Sequence, residues 1–288
     1  MKFSISDFIG IILKKKFFRY GVILAVLAII LLGSFYLLST PRNNLDWDIP
    51  QKINASAEFN DSGTVVVRNI RNFRYRTPAD YDIDYYDKTF DLDELVRVDF
   101  IIDPFTKFRG IAHTMIAFGF ADGTYVDVSI EARRERGESY HTYQGLFNKY
   151  EFIYIVADER DVLALRTNTR DDKVYLYEVD IDKETAQKLF ISVMERVNKL
   201  NEKPEFYNTF TNNCTTSLVR DINKVLPKEK QIGFTLKYVF PGYSDRLAYD
   251  LGFLDDSVSF DKLRENAYIS DKARQLKVDE SFSRLIRE

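Results

Sequence analysis

The chain has 288 residues, 45% of them hydrophobic and 15% aromatic, with only 12 Gly and 7 Pro, a composition that excludes a low-complexity or disordered chain. Residues 1–42 carry six Lys/Arg and one Asp, leaving −8 for the remainder against a total of −3, which argues against a nucleic-acid partner. One cysteine permits no intrachain disulfide, and two histidines without close cysteine or carboxylate spacing make no zinc pattern, so no metal or cofactor is implied.

In chain order, residues 1–19 form a basic segment and Tyr20–Leu38 is uncharged and apolar. At ~1.5 Å per residue that stretch is long enough to cross a ~30 Å hydrocarbon core. Lys2, Lys14, Lys15, Lys16 and Arg19 precede it and only Arg42 follows closely, so the positive-inside rule places the N-terminus in the cytoplasm and the rest outside the cytoplasmic membrane. A cleaved signal peptide is the competing reading, disfavoured by the length of the run and its mediocre small-residue sites. Residues 39–62 read as a polar tether with an edge segment.

Strand character follows at Gly63–Ile70, Leu95–Ile102, 112–132, Tyr150–Val156 and Val174–Val179, predicting a mostly antiparallel sheet. The segment 112–132 reads as a hairpin turning at Ala121-Asp122-Gly123, with Phe118 facing Val126 and Ile116 facing Val128, because a one-residue slip would pair Phe118 with Asp127 and mix the faces. His113 then lies opposite Glu131. The second face carries Met115, Ala117, Tyr125, Asp127 and Ser129 as well and suits a cleft. Asp182 caps a helix with the stripe Leu189, Phe190, Val193, Met194, Val197 and Leu200. A second helix begins after Asn212-Asn213 and ends at Pro227, and a helix or turn is expected within Thr235–Leu254. The chain beyond Ser257 is charged and thinly apolar, predicting a peripheral segment over 257–288 and a main domain over 63–256.

Cys214 sits in the first turn of that second helix, where free N–H groups and the helix dipole favour a thiolate and a neighbouring oxyanion. The other reading is a small buried hydrophobe. His113 with Glu131 has the makings of a general base and its orienting carboxylate, or of a simple cross-strand pair on a solvated face. His141, in a polar loop, is the weaker base candidate, because a loop holds a base less rigidly than a strand. Arg133, Arg134 and Arg166 lie at or after strand ends and suit phosphate binding, with solvated charge as the alternative.

Several runs, HTMIAFGFADGTYVDVSIEARRERGESY, FIYIVADERDVLALRTN, VYLYEVD, FYNTFTNNCTTSLVRDIN and PGYSDRLAYDLG, resemble in order the Lnb-type lipoprotein N-acyltransferase family over about residues 50–256. The resemblance implies an α+β, permuted papain-like thiol fold, with Cys214 as nucleophile, His113 as base and Glu131 as third member; Asp127 and Ser129 share its face. It implies transfer of an acyl chain from a membrane phospholipid, through a Cys214 thioester, to the α-amine of a diacylglyceryl lipoprotein cysteine. The N–H of Cys214, with an Asn212 or Asn213 side chain, would hold the oxyanion. A membrane-anchored cysteine peptidase or amidase acting on cell-wall peptides would use the same Cys–His pair and would show a polar cleft. A non-catalytic tethered binding module would bury Cys214 away from His113.

Overall fold

The computed structural model describes residues 16–24, 26–27, 33–34 and 38–288. It divides into a unit up to Pro41 and a compact unit Arg42–Glu288. The span expected over Tyr20–Leu38 falls partly outside the described residues; among those described, no helix is long and apolar enough to cross a membrane.

The Arg42–Glu288 unit is α+β. Its main sheet runs β1 (Ser56–Phe59), β2 (Thr64–Arg71), β9 (Glu151–Asp158), β8 (Tyr125–Arg133), β7 (His113–Phe120), β6 (Leu95–Asp103) and β10 (Tyr175–Glu178), with β5 (Tyr85–Asp91) also paired to β2. All pairings are antiparallel except the contact of Arg71 with Ala157. A separate hairpin joins β3 (Arg74–Thr77) and β4 (Asp80–Asp82).

The β7–β8 register is the one polarity demands: Phe118 pairs with Val126, Ile116 with Val128, and Gly123 takes φ +83° in the turn. Alternation then gives the two faces different fates. Ile116, Phe118, Val126, Val128 and Ile130 lie under helix Lys183–Glu202 and the Cys214 helix. Asp182 starts the first of these helices by accepting from Thr185 N at 2.8 Å, and Phe190 meets the Phe118 ring edge-on at 5.0 Å.

The other face is no cleft. Met115, Ala117, Ile153 and Ile155 pack with Val162 and Leu163 of helix Glu159–Ala164 and with Ala273, Phe282 and Ile286 from the C-terminal segment. Residues 257–288 are therefore part of this core rather than peripheral. They read as solvated because their charges find buried partners: Arg287 bonds Asp99 and Glu159, both fully buried, and lies 3.6 Å over the Tyr125 ring. Residues 39–62 likewise hold more than a tether, since Trp47, Gln51 and Ala55 are buried and Ser56–Phe59 is a strand.

Candidate functional site

The Cys214 helix (Cys214–Val225) starts where it does because of a reciprocal cap. Asn213 Oδ1 accepts from Thr216 N at 2.8 Å, and Thr216 Oγ1 accepts from Asn213 N at 2.8 Å. Pro227 follows its end. The thiol is 4% exposed. Among the described residues the N–H groups of Cys214 and Thr215 have no hydrogen-bond acceptor, so they remain available for an oxyanion at the positive end of the helix. The Asn side chains do not. Asn212 Nδ2 is bound to Phe206 O at 2.8 Å and Asn213 Nδ2 to Thr209 O at 2.8 Å, where they hold the approach to the helix instead.

His113 opens β7 at the same end of the sheet. Its Nε2 lies 2.7 Å from Ser129 Oγ, and Ser129 donates to Glu131 Oε1 at 2.6 Å. Ser129, not Glu131, is thus the direct partner: the β7–β8 ladder ends at Met115 and Ser129, and the shorter side chain reaches back to the ring. The hydroxyl has one proton and gives it to Glu131, so the bond from His113 is an Nε2–H donation and Nδ1 is left as the basic nitrogen. Gln51 Nε2 donates to Glu131 Oε2 at 2.7 Å, and Arg166 lies 3.6 Å from Oε1 and 3.1 Å from Asp103. Arg166 sits in a π-helical turn, Leu165–Thr169, and also donates to Val162 O at 2.9 Å and to Ser129 Oγ at 3.4 Å.

Charge here is finely set. Burial, then Arg166, pushes the His113 pKa down to about 3 against the pull of Glu131, although part of the residue reaches solvent. Burial would raise Glu131, but the imidazole, Arg166, Arg71 and the Ser129 hydroxyl outweigh it and hold it below the usual range. With the ring neutral, the two guanidiniums and the hydroxyl do this alone. Burial lifts Asp103 to about 6. Burial, then the nearby Glu159, raises the Asp127 pKa well above the ordinary carboxylate value, and both oxygens are unpartnered among the described residues. A His113 pKa below the unfolded value contributes stability that is lost as pH falls through the interval from 6.5 toward 3, because only the unfolded state takes up the proton there. The expected result is that the His113 ¹⁵N resonances keep the neutral Nε2–H pattern from pH 8 down to 5; titration near pH 6.5 would refute the buried network.

The structure brings Cys214 and His113 to adjoining positions but does not hydrogen-bond them. Thr114 Oγ1 meets Thr215 Oγ1 at 3.1 Å, one residue along from each. Alternation turns Thr114 toward the helix and His113 to the opposite face with Ser129, so the direct thiol–imidazole contact expected from the sequence is not made among the described hydrogen bonds. His141 N donates to Tyr150 Oη at 2.9 Å in a loop that also binds the approach to Cys214, with Thr209 Oγ1 donating to Thr142 O at 2.7 Å and Thr209 N to Gly145 O.

The remaining arginines are occupied. Arg133 is buried, stacks 4.3 Å from the Trp47 ring and donates to Gln51 O, Lys52 O and Asn43 Oδ1, clasping the N-terminal segment; burial brings its pKa down to about 10. Arg134 pairs with Asp48 at 3.1 Å. Phosphate binding by Arg133 is thereby ruled out by geometry, and Arg166 is spent on Asp103 and the Ser129–Glu131 pair.

An apolar cavity was missed in the sequence. It starts at Thr215 and follows Leu218, Val219 and Ile222 along the Cys214 helix, with Leu247 and Leu251 also lining it, and has a volume of about 70 Å³. The signal was present: Leu218, Val219, Ile222, Val225 and Leu226 form a stripe wider than one neighbouring helix covers.

No curated protein and no solved structure matches the chain. The Lnb N-terminal periplasmic domain profile matches residues 81–242, more than half the chain and inclusive of His113, Ser129, Glu131, Arg166 and Cys214, and the chain belongs to that family.

Proposed function

We propose that the protein is a thiol-dependent acyltransferase that moves an acyl chain from a membrane phospholipid to the α-amine of a diacylglyceryl lipoprotein cysteine. The observation that carries this reading is the apolar cavity along the Cys214 helix, lined from Thr215 onward though not by Cys214 itself, which suits a hydrocarbon chain and offers a peptide few groups to hydrogen-bond. The order of a histidine strand before a cysteine helix is consistent with a permuted papain-like thiol site. In the first half-reaction the Cys214 thiol loses its proton to a base, sulfur bonds to the ester carbonyl carbon, and the glycerol oxygen leaves with that proton as lysophospholipid. The N–H groups of Cys214 and Thr215 hold the oxyanion. In the second the lipoprotein amine attacks the thioester, gives its proton to the base, and the thiolate leaves.

His113 is the proposed base, through Nδ1; its ring and the Cys214 sulfur lie on opposite faces of β7, so this role requires the ring to swing round the start of the strand. Ser129 and Glu131 fix its tautomer. His113→Ala is expected to abolish lipoprotein N-acylation, read by mass spectrometry of the N-terminal peptide, while His141→Ala keeps it. The reverse outcome would move the base to the loop beside Thr209.

The cavity makes a second demand. Val219→Trp, which fills it at the helix midpoint, is expected to slow transfer of long acyl chains by roughly 10-fold relative to short ones, by the ~0.8 kcal/mol that each buried methylene contributes. Equal loss for all chain lengths would show that the chain lies elsewhere.

A further inference from the structure

Four loops meet at the Cys214 end of the domain. Asn213 Nδ2 reaches Thr209 O and Val239 O, Thr209 is tied to the 142–145 loop, and Gly242 N donates to Gly110 O. Gly242 packs so close that a β-carbon there would stand 1.6 Å from Arg109 O. The tips of these loops expose Phe105, Phe108, Phe147, Phe210, Phe234 and Leu236, with Phe234 79% exposed. Scattered exposed apolar residues are ordinary; six from four adjoining loops are not.

Charge is sorted in the same place. Residues 104–110, 143–149, 208–213 and 232–240 contain Lys107, Arg109, Lys149 and Lys237 and no Asp or Glu, within a domain whose balance is −8; Lys149 and Lys237 pair with Glu138 and Asp250, which leaves Lys107 and Arg109 as the cations with no carboxylate partner among the described ion pairs. The stretch Phe105-Thr-Lys-Phe-Arg109 alternates ring and cation and is exposed throughout. Aromatic rings interleaved with cations, beside a loop whose Ile232 and Tyr238 also line the apolar cavity, match the headgroup and upper acyl layer of an anionic bilayer.

We propose that these four loops form a bilayer-docking surface that seats the Cys214 end of the domain in the lipid interface. The rings enter the upper acyl layer while Lys107 and Arg109 pair with lipid phosphates. Ile232 and Tyr238 of one docking loop line the cavity, so this surface deepens the acyl-transfer reading. Its own evidence, the exposed rings and the sorted charge, does not involve catalysis.

The test uses the full chain reconstituted in phosphatidylcholine vesicles, with and without phosphatidylglycerol, carrying lipids brominated near the top of the acyl chains. In Phe234→Trp the introduced indole is expected to be blue-shifted and quenched by the brominated lipid, more so with phosphatidylglycerol. The native Trp47, buried beneath Arg133, supplies the unquenched baseline. Phe108→Glu with Phe234→Glu is expected to lower transfer to vesicle-embedded lipoprotein roughly 10-fold while sparing reaction with detergent-dispersed donor. An indole that stays water-exposed in both vesicle types, or one shielded only by self-association or by added lipoprotein, overturns the proposal. Quenching retained in Cys214→Ser, with no acyl transfer by the wild type, would leave the docking surface standing and remove the transfer reading alone.

Discussion

Cys214→Ser is expected to abolish thioester formation and lipoprotein N-acylation together, by at least on the order of 10³-fold, without unfolding the protein. The hydroxyl is a far weaker acid than the thiol, so the helix N-terminus that favours a thiolate cannot supply an alkoxide at neutral pH. Shape barely changes: the site is 4% exposed and its nearest polar neighbour is Thr215 Oγ1 at 3.9 Å. Melting temperature is therefore expected to move by no more than a few degrees. Intact-protein mass spectrometry after mixing with phospholipid, beside peptide analysis of the lipoprotein, reads both steps. Acyl transfer near the wild-type rate in the variant would eliminate covalent thiol chemistry, and wall-peptide cleavage lost with Cys214 but no lipid reaction would favour the peptidase alternative.

The largest stability effect is expected at Asp161. Both its oxygens receive the Arg71 guanidinium, at 2.9 and 2.8 Å, and one also accepts from Phe73 N at 2.7 Å, with Arg71 4% and Asp161 0% exposed. Asp161→Ala leaves a buried guanidinium without its counter-charge and a backbone N–H without its acceptor, a change that costs about 3–5 kcal/mol. For a domain of this size that corresponds to a melting temperature lower by roughly 10 °C. The pairing of Arg71→Met with Asp161→Leu should recover much of the loss, because no charge is then stranded. Calorimetry that finds Asp161→Ala within about 1 kcal/mol of wild type would show that water reaches the pair and that β2 is less firmly tied to helix Glu159–Ala164.

What the sequence made legible was what local rules determine. The β7–β8 register follows from alternation around a glycine turn, and the two long helices follow from Asp182, Asn213 and their apolar stripes. Cys214 was placed at a helix start for the same reason. The misplaced features depend on partners far along the chain. The His113 face was read as open because Asp127, Ser129 and Glu131 are polar, yet they are covered by residues 159–169 and by a tail that looks solvated. Arg133 was read as a phosphate ligand because nothing local says that Trp47 will stack on it. Ser129 was placed behind Glu131, though on the same face, because a two-step chain of hydrogen bonds depends on side-chain length, which residue spacing does not encode. Strands β3, β4 and β5 escaped because Asp and Arg interrupt their pattern.

The bond pattern of Arg287 bears on when the domain can finish folding. Asp99 lies on a central strand and Glu159 opens the helix beneath it, and each receives its cation from the last-but-one residue of the chain. A polypeptide that has emitted every strand but not Arg287 holds Glu159 without its guanidinium and Asp99 with Arg97 alone, at 2.8 Å. Closure of that layer is expected to follow the emergence of the segment that carries Arg287, later than that of the last strand. Removal of the Arg287 guanidinium would thus be felt at β6 and at helix Glu159–Ala164, elements laid down more than a hundred residues earlier.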